Sequence, residues 1–178
     1  MPVHPSPPPV PILDTERLTL RGHQLGDLDE SAAMWADPAV TRFSGGKPFS
    51  REEVWARLLR YVGHWSLMGF GYWVVHEKGS GRFVGEVGFA DFRRELDLRL
   101  EGTPEIGWAL APAFFGRGFA TEAVRAALAW GEAQWGVRRT VCMIDPGNLA
   151  SVRVAQKCGY RELVRTTYKG MPTLIFER

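Results

Sequence analysis

Glu105-Ile-Gly-Trp-Ala-Leu-Ala-Pro-Ala-Phe-Phe-Gly-Arg-Gly-Phe-Ala-Thr-Glu-Ala-Val124 is the stretch on which the reading of this chain turns. Glu105 to Ala111 has the apolar content of a strand, and Pro112 ends it because proline cannot donate to a ladder. Gly116-Arg117-Gly118 lets the backbone turn tightly and come close to a neighbour. Phe119 to Trp135 reads as a helix, with Ala120, Ala123, Val124, Ala127, Leu128 and Trp135 on one side. A glycine turn feeding a helix points free N–H groups and the positive end of the helix dipole at one spot, which suits a phosphate or pyrophosphate. The same pattern also serves a strand–turn–helix connection that binds nothing. It lacks the third glycine and later acidic residue of the dinucleotide fingerprint, and no Gly-Lys-Ser/Thr follows to make a P-loop.

Upstream, residues 1–12 hold Pro2, Pro5, Pro7, Pro8, Pro9 and Pro11 and read as an extended, mobile arm before a single domain over 13–178. Thr15 to Leu25 reads as the first strand, with Leu18 and Leu20 on one face. Asp27 with Glu30 suggests a capped short helix to about Ala36, broken at Asp37-Pro38. Ser50 with Glu53 is a second capping signature, followed by Val54, Leu58, Tyr61, Val62 and Trp65 at helical spacing, with Gly69 and Gly71 as the stop. Tyr72–Glu77 and Arg82–Phe92 read as a hairpin around Lys78–Gly81, and residues 93–104 as a charged loop, either a solvated connection or one that shapes substrate access.

Downstream, Arg139–Ile144 reads as a buried strand and Asn148 as the cap of a helix reaching Cys158. Tyr160–Tyr168 and Met171–Phe176 read as a final hairpin. The sum is an α+β fold with a mixed, mostly antiparallel sheet and one strand–helix–strand unit. There a parallel pair can splay and open a crevice.

The 178 residues carry a net charge of +2, too small to argue for nucleic acid. No apolar run approaches the roughly 18 residues that span a bilayer. The N-terminus lacks an apolar signal core, so the cytoplasm is the expected compartment and no membrane partner is expected. Cys142 and Cys158 read as reduced core residues, and no Cys/His cluster has metal-ligand spacing.

Phe115-x-x-Gly118-x-Ala120 resembles the pyrophosphate loop of the GNAT N-acetyltransferase superfamily, although many members have Gln or Arg where Phe115 stands. The run from Glu105 to Tyr160 resembles the branch of ribosomal-protein N-terminal acetyltransferases (RimJ/RimL-like). The resemblance lies in Glu105-Ile-Gly-Trp108, Gly116-Arg-Gly-Phe-Ala-Thr-Glu-Ala123 and Asn148-Leu-Ala-Ser-Val-Arg-Val-Ala-Gln-Lys-Cys-Gly-Tyr160. Thr15-Glu-Arg-Leu-x-Leu-Arg21 extends it toward the N-terminus.

The resemblance implies a three-layer α/β/α domain that uses acetyl-CoA as co-substrate and acetylates a primary amine by direct attack. It implies pyrophosphate binding by the N–H groups of Phe115, Gly116, Arg117, Gly118, Phe119 and Ala120, helped by the Thr121 hydroxyl. Arg117 would approach a phosphate or point to solvent. Trp108, Ala109 and Leu110 would pair with the pantetheine arm, and a bulge in this strand would free an N–H near Leu110 to polarise the thioester.

The tyrosine that often protonates the leaving thiolate in the superfamily is Ala155 here. The branch instead places a serine, Ser151, near the CoA sulfur, and Asn148 caps the helix or binds pantetheine. Glu105 is the candidate base, because it begins the central strand. Glu86 is the rival, either facing solvent or turned inward with a function. Tyr160 reads as core beneath the cofactor, and the sequence assigns no partner to His23, His64 or His76. The acceptor, a peptide N-terminus or a small-molecule amine, is not readable. Exposed aromatics of the second helix could support a homodimer. The alternative is a CoA-binding sensor or interaction module without catalysis.

Overall fold

The computed structural model describes residues 9–178 except 97, 99, 101 and 137. Its strands are β1 (Leu13–Asp14), β2 (Leu18–Arg21), β3 (Tyr72–Glu77), β4 (Phe83–Ala90), β5 (Glu105–Leu110), β6 (Val141–Ile144), β7 (Arg161–Tyr168) and β8 (Met171–Glu177). Its α-helices are α1 (Leu28–Ala36), α2 (Pro38–Thr41), α3 (Arg51–Met68), α4 (Phe119–Trp135) and α5 (Leu149–Lys157). The strands form one sheet in the order β1-β2-β3-β4-β5-β6-β8-β7. Among the described residues only β5 and β6 run parallel, and every other neighbouring pair is antiparallel.

Strand alternation sorts side chains to two layers. Trp73, Val75, Val87, Phe89, Ile106 and Leu110 face α4 and α5, packing with Val124, Ala127, Leu128 and Ala155. Val74 and Phe83 face α1 and α3, packing with Met34, Trp35 and Val54. The sheet is thus covered on both faces, the α+β, three-layer arrangement expected from the sequence. Cys142 and Cys158 are buried and unpaired, as read.

Four expectations need correction. The first strand is broken, because Thr15 closes a tight turn. Its N–H donates to Leu18 O at 2.9 Å, and its hydroxyl oxygen accepts from Leu18 N at 2.9 Å. The chain folds back there, pairing Leu13 with Leu20. Asp27 does not cap α1 with Glu30, since its carboxylate is taken by Arg21 and by the Gln24 N–H. The end of the N-terminal arm is docked: Val10 packs on the core, and Pro11 O accepts from Trp73 Nε1 at 2.9 Å. Residues 1–8 of the arm lie outside the described residues. Finally, Val62 is 45% exposed although it fits the helical spacing, because α3 turns a second apolar stripe outward with Trp55 and Leu59.

The Ser50–Glu53 capping box of α3 forms as read. Gly69 follows the helix in the left-handed region (φ 72°), a conformation that costs an L side chain about 1–2 kcal/mol.

Candidate active site

Strands β5 and β6 meet at a single pair, Glu105 with Val141, where the Val141 N–H donates to Pro104 O at 3.1 Å. Beyond it β6 is held by β8 and β5 by β4, so the two diverge. The Ala111 N–H donates to Val84 O across β4 at 2.8 Å. Antiparallel alternation therefore turns the N–H groups of Trp108 and Leu110 toward the divergent side. The expected bulge is absent, since β4 and β5 pair in unbroken register from Glu105 to Leu110. Divergence of the neighbour frees these amides, with no extra residue in the strand.

Both helices that follow the parallel pair begin at its C-terminal edge. The chain leaves β5 through a 3-10 turn at Pro112–Phe114, then Phe115 and Gly116 (φ 72°), to reach Gly118 (φ 80°), the N-cap of α4. Gly118 has no side chain to cap with, so the first-turn N–H groups of Phe119, Ala120 and Thr121 have no side-chain acceptor among the described residues. A helix start left open in this way attracts an anion. Glu122, in the same turn, would oppose that. However, Arg17 holds its carboxylate at 2.6 Å and Thr15 donates to it at 2.6 Å. Arg117 is exposed, pairs with Glu77 at 2.8 Å, and its guanidinium lies over the Phe119 ring at 4.6 Å.

Asn148 caps α5, its Oδ1 accepting from the Ser151 N–H at 3.1 Å. The amide nitrogen of Asn148 and the hydroxyl of Ser151 have no hydrogen-bond partner among the described residues, and both residues are half-buried. Facing them, Gly147 sits against the ring of Phe43, so the loop after α2 reaches the β6–α5 turn.

A strand pair splayed beyond one contact, with an uncapped helix start at its mouth, gathers free main-chain donors around one opening. The sequence profile described as an acetyltransferase (GNAT) domain matches residues 17–161. The chain belongs to the GNAT acetyltransferase family. It is similar to the uncharacterized N-acetyltransferase p20 of Bacillus licheniformis, at 29% identity covering 92% of this chain and 90% of that one. It is also similar in structure to a GnaT-family acetyltransferase from Bordetella pertussis, with a TM-score of 0.83 and 32% identity over 94% of this chain and 99% of the other. RimL, the ribosomal L7/L12 α-N-protein acetyltransferase solved with coenzyme A, shares the fold (TM-score 0.76) at 15% identity, covering 94% of this chain and 97% of that one.

In this GNAT domain Glu105 and Glu86 lie on the α1/α3 face of the sheet. Glu105 is 8% exposed, and Arg94 grips it in a two-pronged pair at 2.6 and 2.7 Å. The loop over 93–104 is therefore not merely solvated, because Arg94 turns back from it. The guanidinium lies 4.6 Å from the Phe92 ring centre and 5.0 Å from that of Tyr168. Glu86 is 2% exposed and turned inward, which excludes its solvent-facing reading. Ser31 and Trp35 donate to its two oxygens at 2.9 and 3.0 Å, and His23 Nε2 lies 3.6 Å away. Burial alone would raise its carboxyl, but His23, Trp35 and Arg57 outweigh it and hold it below the usual value.

Sequence reading missed Arg94, His23, Arg57 and Tyr72 as neighbours of these acids, since each comes from a distant segment. Gly107 carried a signal: a half-buried glycine inside a strand marks a close approach, and the group approaching it is the Tyr72 hydroxyl. Tyr160 is core as read, its hydroxyl 2.6 Å from that of Thr140. A cavity of about 320 Å³ beside Arg125, Lys157 and Arg178 lies behind α4, away from the divergent strands. Strand divergence, not cavity volume, therefore locates the site.

Proposed function

We propose that this domain moves an acetyl group from acetyl-CoA to a primary amine by direct attack in a ternary complex. The observation that carries the reading is the single-pair contact of β5 and β6 opening toward the uncapped start of α4. RimL and a spermidine N-acetyltransferase from Vibrio cholerae, which share the fold, were solved with CoA, and this supports the same co-substrate here. In this reading the amides from Phe115 through Thr121 receive the pyrophosphate. The free edge at Trp108, Ala109 and Leu110 pairs with the pantetheine arm, and Asn148 adds its amide nitrogen. The Leu110 N–H is the main-chain donor to the thioester oxygen, a contribution of about 3–4 kcal/mol in comparable enzymes. Ser151 donates to the departing thiolate.

Glu105 receives the amine proton through water once the acceptor draws Arg94 off one carboxylate oxygen, because both oxygens are occupied at rest. A cytoplasmic location goes with this chemistry. The acceptor is an amine on a peptide or a small molecule. A homodimer would use the outward stripe of Trp55, Leu59 and Val62.

The test is a thermal-shift titration with acetyl-CoA, with adenosine as control, followed by thiol release with a panel of amines. Saturation at about 100 times the dissociation constant stabilises the fold by roughly 2.7 kcal/mol. Gly118→Glu, which sets a carboxylate beside the phosphate site, is expected to weaken acetyl-CoA at least tenfold by calorimetry. No shift at millimolar acetyl-CoA would remove the basis of this reading. Binding without thiol release from any amine would leave a CoA-binding module.

A further inference from the structure

Tyr72 opens β3, two strands away from the divergent edge, yet its hydroxyl reaches that edge. Its partner on β4 is Gly88, and the partner of Gly88 on β5 is Gly107. Tyr72, Gly88 and Gly107 therefore form one row across the sheet, and the row has a single side chain. A Cβ on Gly88 would overlap the β3 backbone at Gly71 and Tyr72, and a Cβ on Gly107 would overlap the Tyr72 hydroxyl oxygen. Gly88 thus lets β3 come close, and Gly107 leaves room for the hydroxyl on β5. The next position outward is the opening toward β6.

The ring is held from above by Tyr61, stacked on it at 4.3 Å with planes 10° apart. Arg57 fixes Tyr61 in turn through a 3.0 Å hydrogen bond to its hydroxyl. Tyr72 is only 7% exposed, and its own hydroxyl has no hydrogen-bond partner among the described residues. The neighbouring rows carry Glu86 beside Ala109 and Ala90 beside Glu105, which places this hydroxyl between the two acids of the site.

We propose that the Tyr72 phenol donates a hydrogen bond to the thioester carbonyl oxygen of acetyl-CoA, acting beside the main-chain N–H of β5. The proposal rests on the acetyl-transfer reading. As the amine nitrogen bonds to the carbonyl carbon, the C=O π electrons move onto oxygen, and the phenol steadies that charge. Collapse restores C=O, breaks the C–S bond with its electron pair leaving on sulfur, and releases the amine proton toward water. Tyr72 keeps its own proton throughout. Burial, with Tyr61 and Glu105 nearby, pushes its ionisation well above the usual value. Such a phenol is suited to donating a hydrogen bond and poorly suited to surrendering a proton to a thiolate.

Tyr72→Phe keeps the stacked ring, so its melting temperature should match wild type. Its turnover is expected to fall on the order of 10²-fold, with acetyl-CoA affinity and acceptor KM within about twofold. A second readout needs no turnover: the ¹³C carbonyl resonance of bound [1-¹³C]acetyl-CoA should lie downfield in wild type and move back in Tyr72→Phe. Unchanged turnover and an unchanged resonance in the variant overturn the proposal while leaving acetyl transfer intact. A raised acceptor KM at constant turnover also overturns it, because the phenol would then touch the amine instead. Failure of wild type to bind acetyl-CoA sinks the acetyl-transfer reading, and this proposal falls with it.

Discussion

Asp27 ties the end of one strand to the start of a helix through a single carboxylate. Arg21 reaches both of its oxygens, at 2.7 and 2.8 Å, and the Gln24 N–H adds a third bond. Burial opposes its ionisation, but these bonds prevail and the carboxyl sits below its usual value. A depressed acid contributes stability above its unfolded pKa, about 3.9, and loses it as pH falls through the folded value. Asp27→Asn should therefore lower the unfolding free energy by about 1.5–3 kcal/mol at pH 7. The gap should begin to narrow below about pH 4 in urea titrations and close only as pH falls through the lower folded value. Ser151→Ala has the opposite character, because the hydroxyl has no partner among the described residues: stability should hold. Turnover should fall more than acetyl-CoA affinity, as steady-state kinetics beside calorimetry would show. The reverse pattern would make Ser151 a binding residue only. Both Asp27 and Ser151 were visible in the sequence, but the Asp27–Arg21 pair was hidden behind an equally good capping pattern with Glu30.

Among the elements, α3 and α4 were the most legible. Each announces its start locally, α3 by Ser50 and Glu53 and α4 by Gly116-Arg117-Gly118, and each repeats apolar residues at helical spacing. The α3 cap is a reciprocal pair, Ser50 N to Glu53 at 2.7 Å and Glu53 N to Ser50 at 3.2 Å. Ser50→Ala should cost about 1 kcal/mol, seen as a lower melting midpoint. Because α3 carries Arg57 and Tyr61 over the site, the same variant should loosen the acceptor side more than the cofactor side. Strand β5 was legible in extent but not in detail. Its free amides were expected from a bulge, and they arise from the departure of β6, which no residue within β5 encodes.

Across the whole molecule, the order of elements and the apolar alternation of strands determined the α+β class, the covered sheet and the place of the parallel pair. Those are properties of short windows of chain, where periodicity and turn chemistry act directly. The glycine turn before α4 and the cap at Asn148 are of the same kind, so both helix starts beside the divergent strands could be read in advance. The surroundings of the two acids could not. Arg94 on Glu105, His23 and Ser31 by Glu86, and Tyr72 over Gly107 join residues from separate segments. Which charge meets which acid depends on strand order and register, and these are settled only when the sheet assembles. From the sequence alone came the fold, the glycine turn before α4 and the identity of the candidate acids. The tertiary structure decided how those acids are engaged, and it set the Tyr72 phenol against Gly107 beside the edge where the strands part.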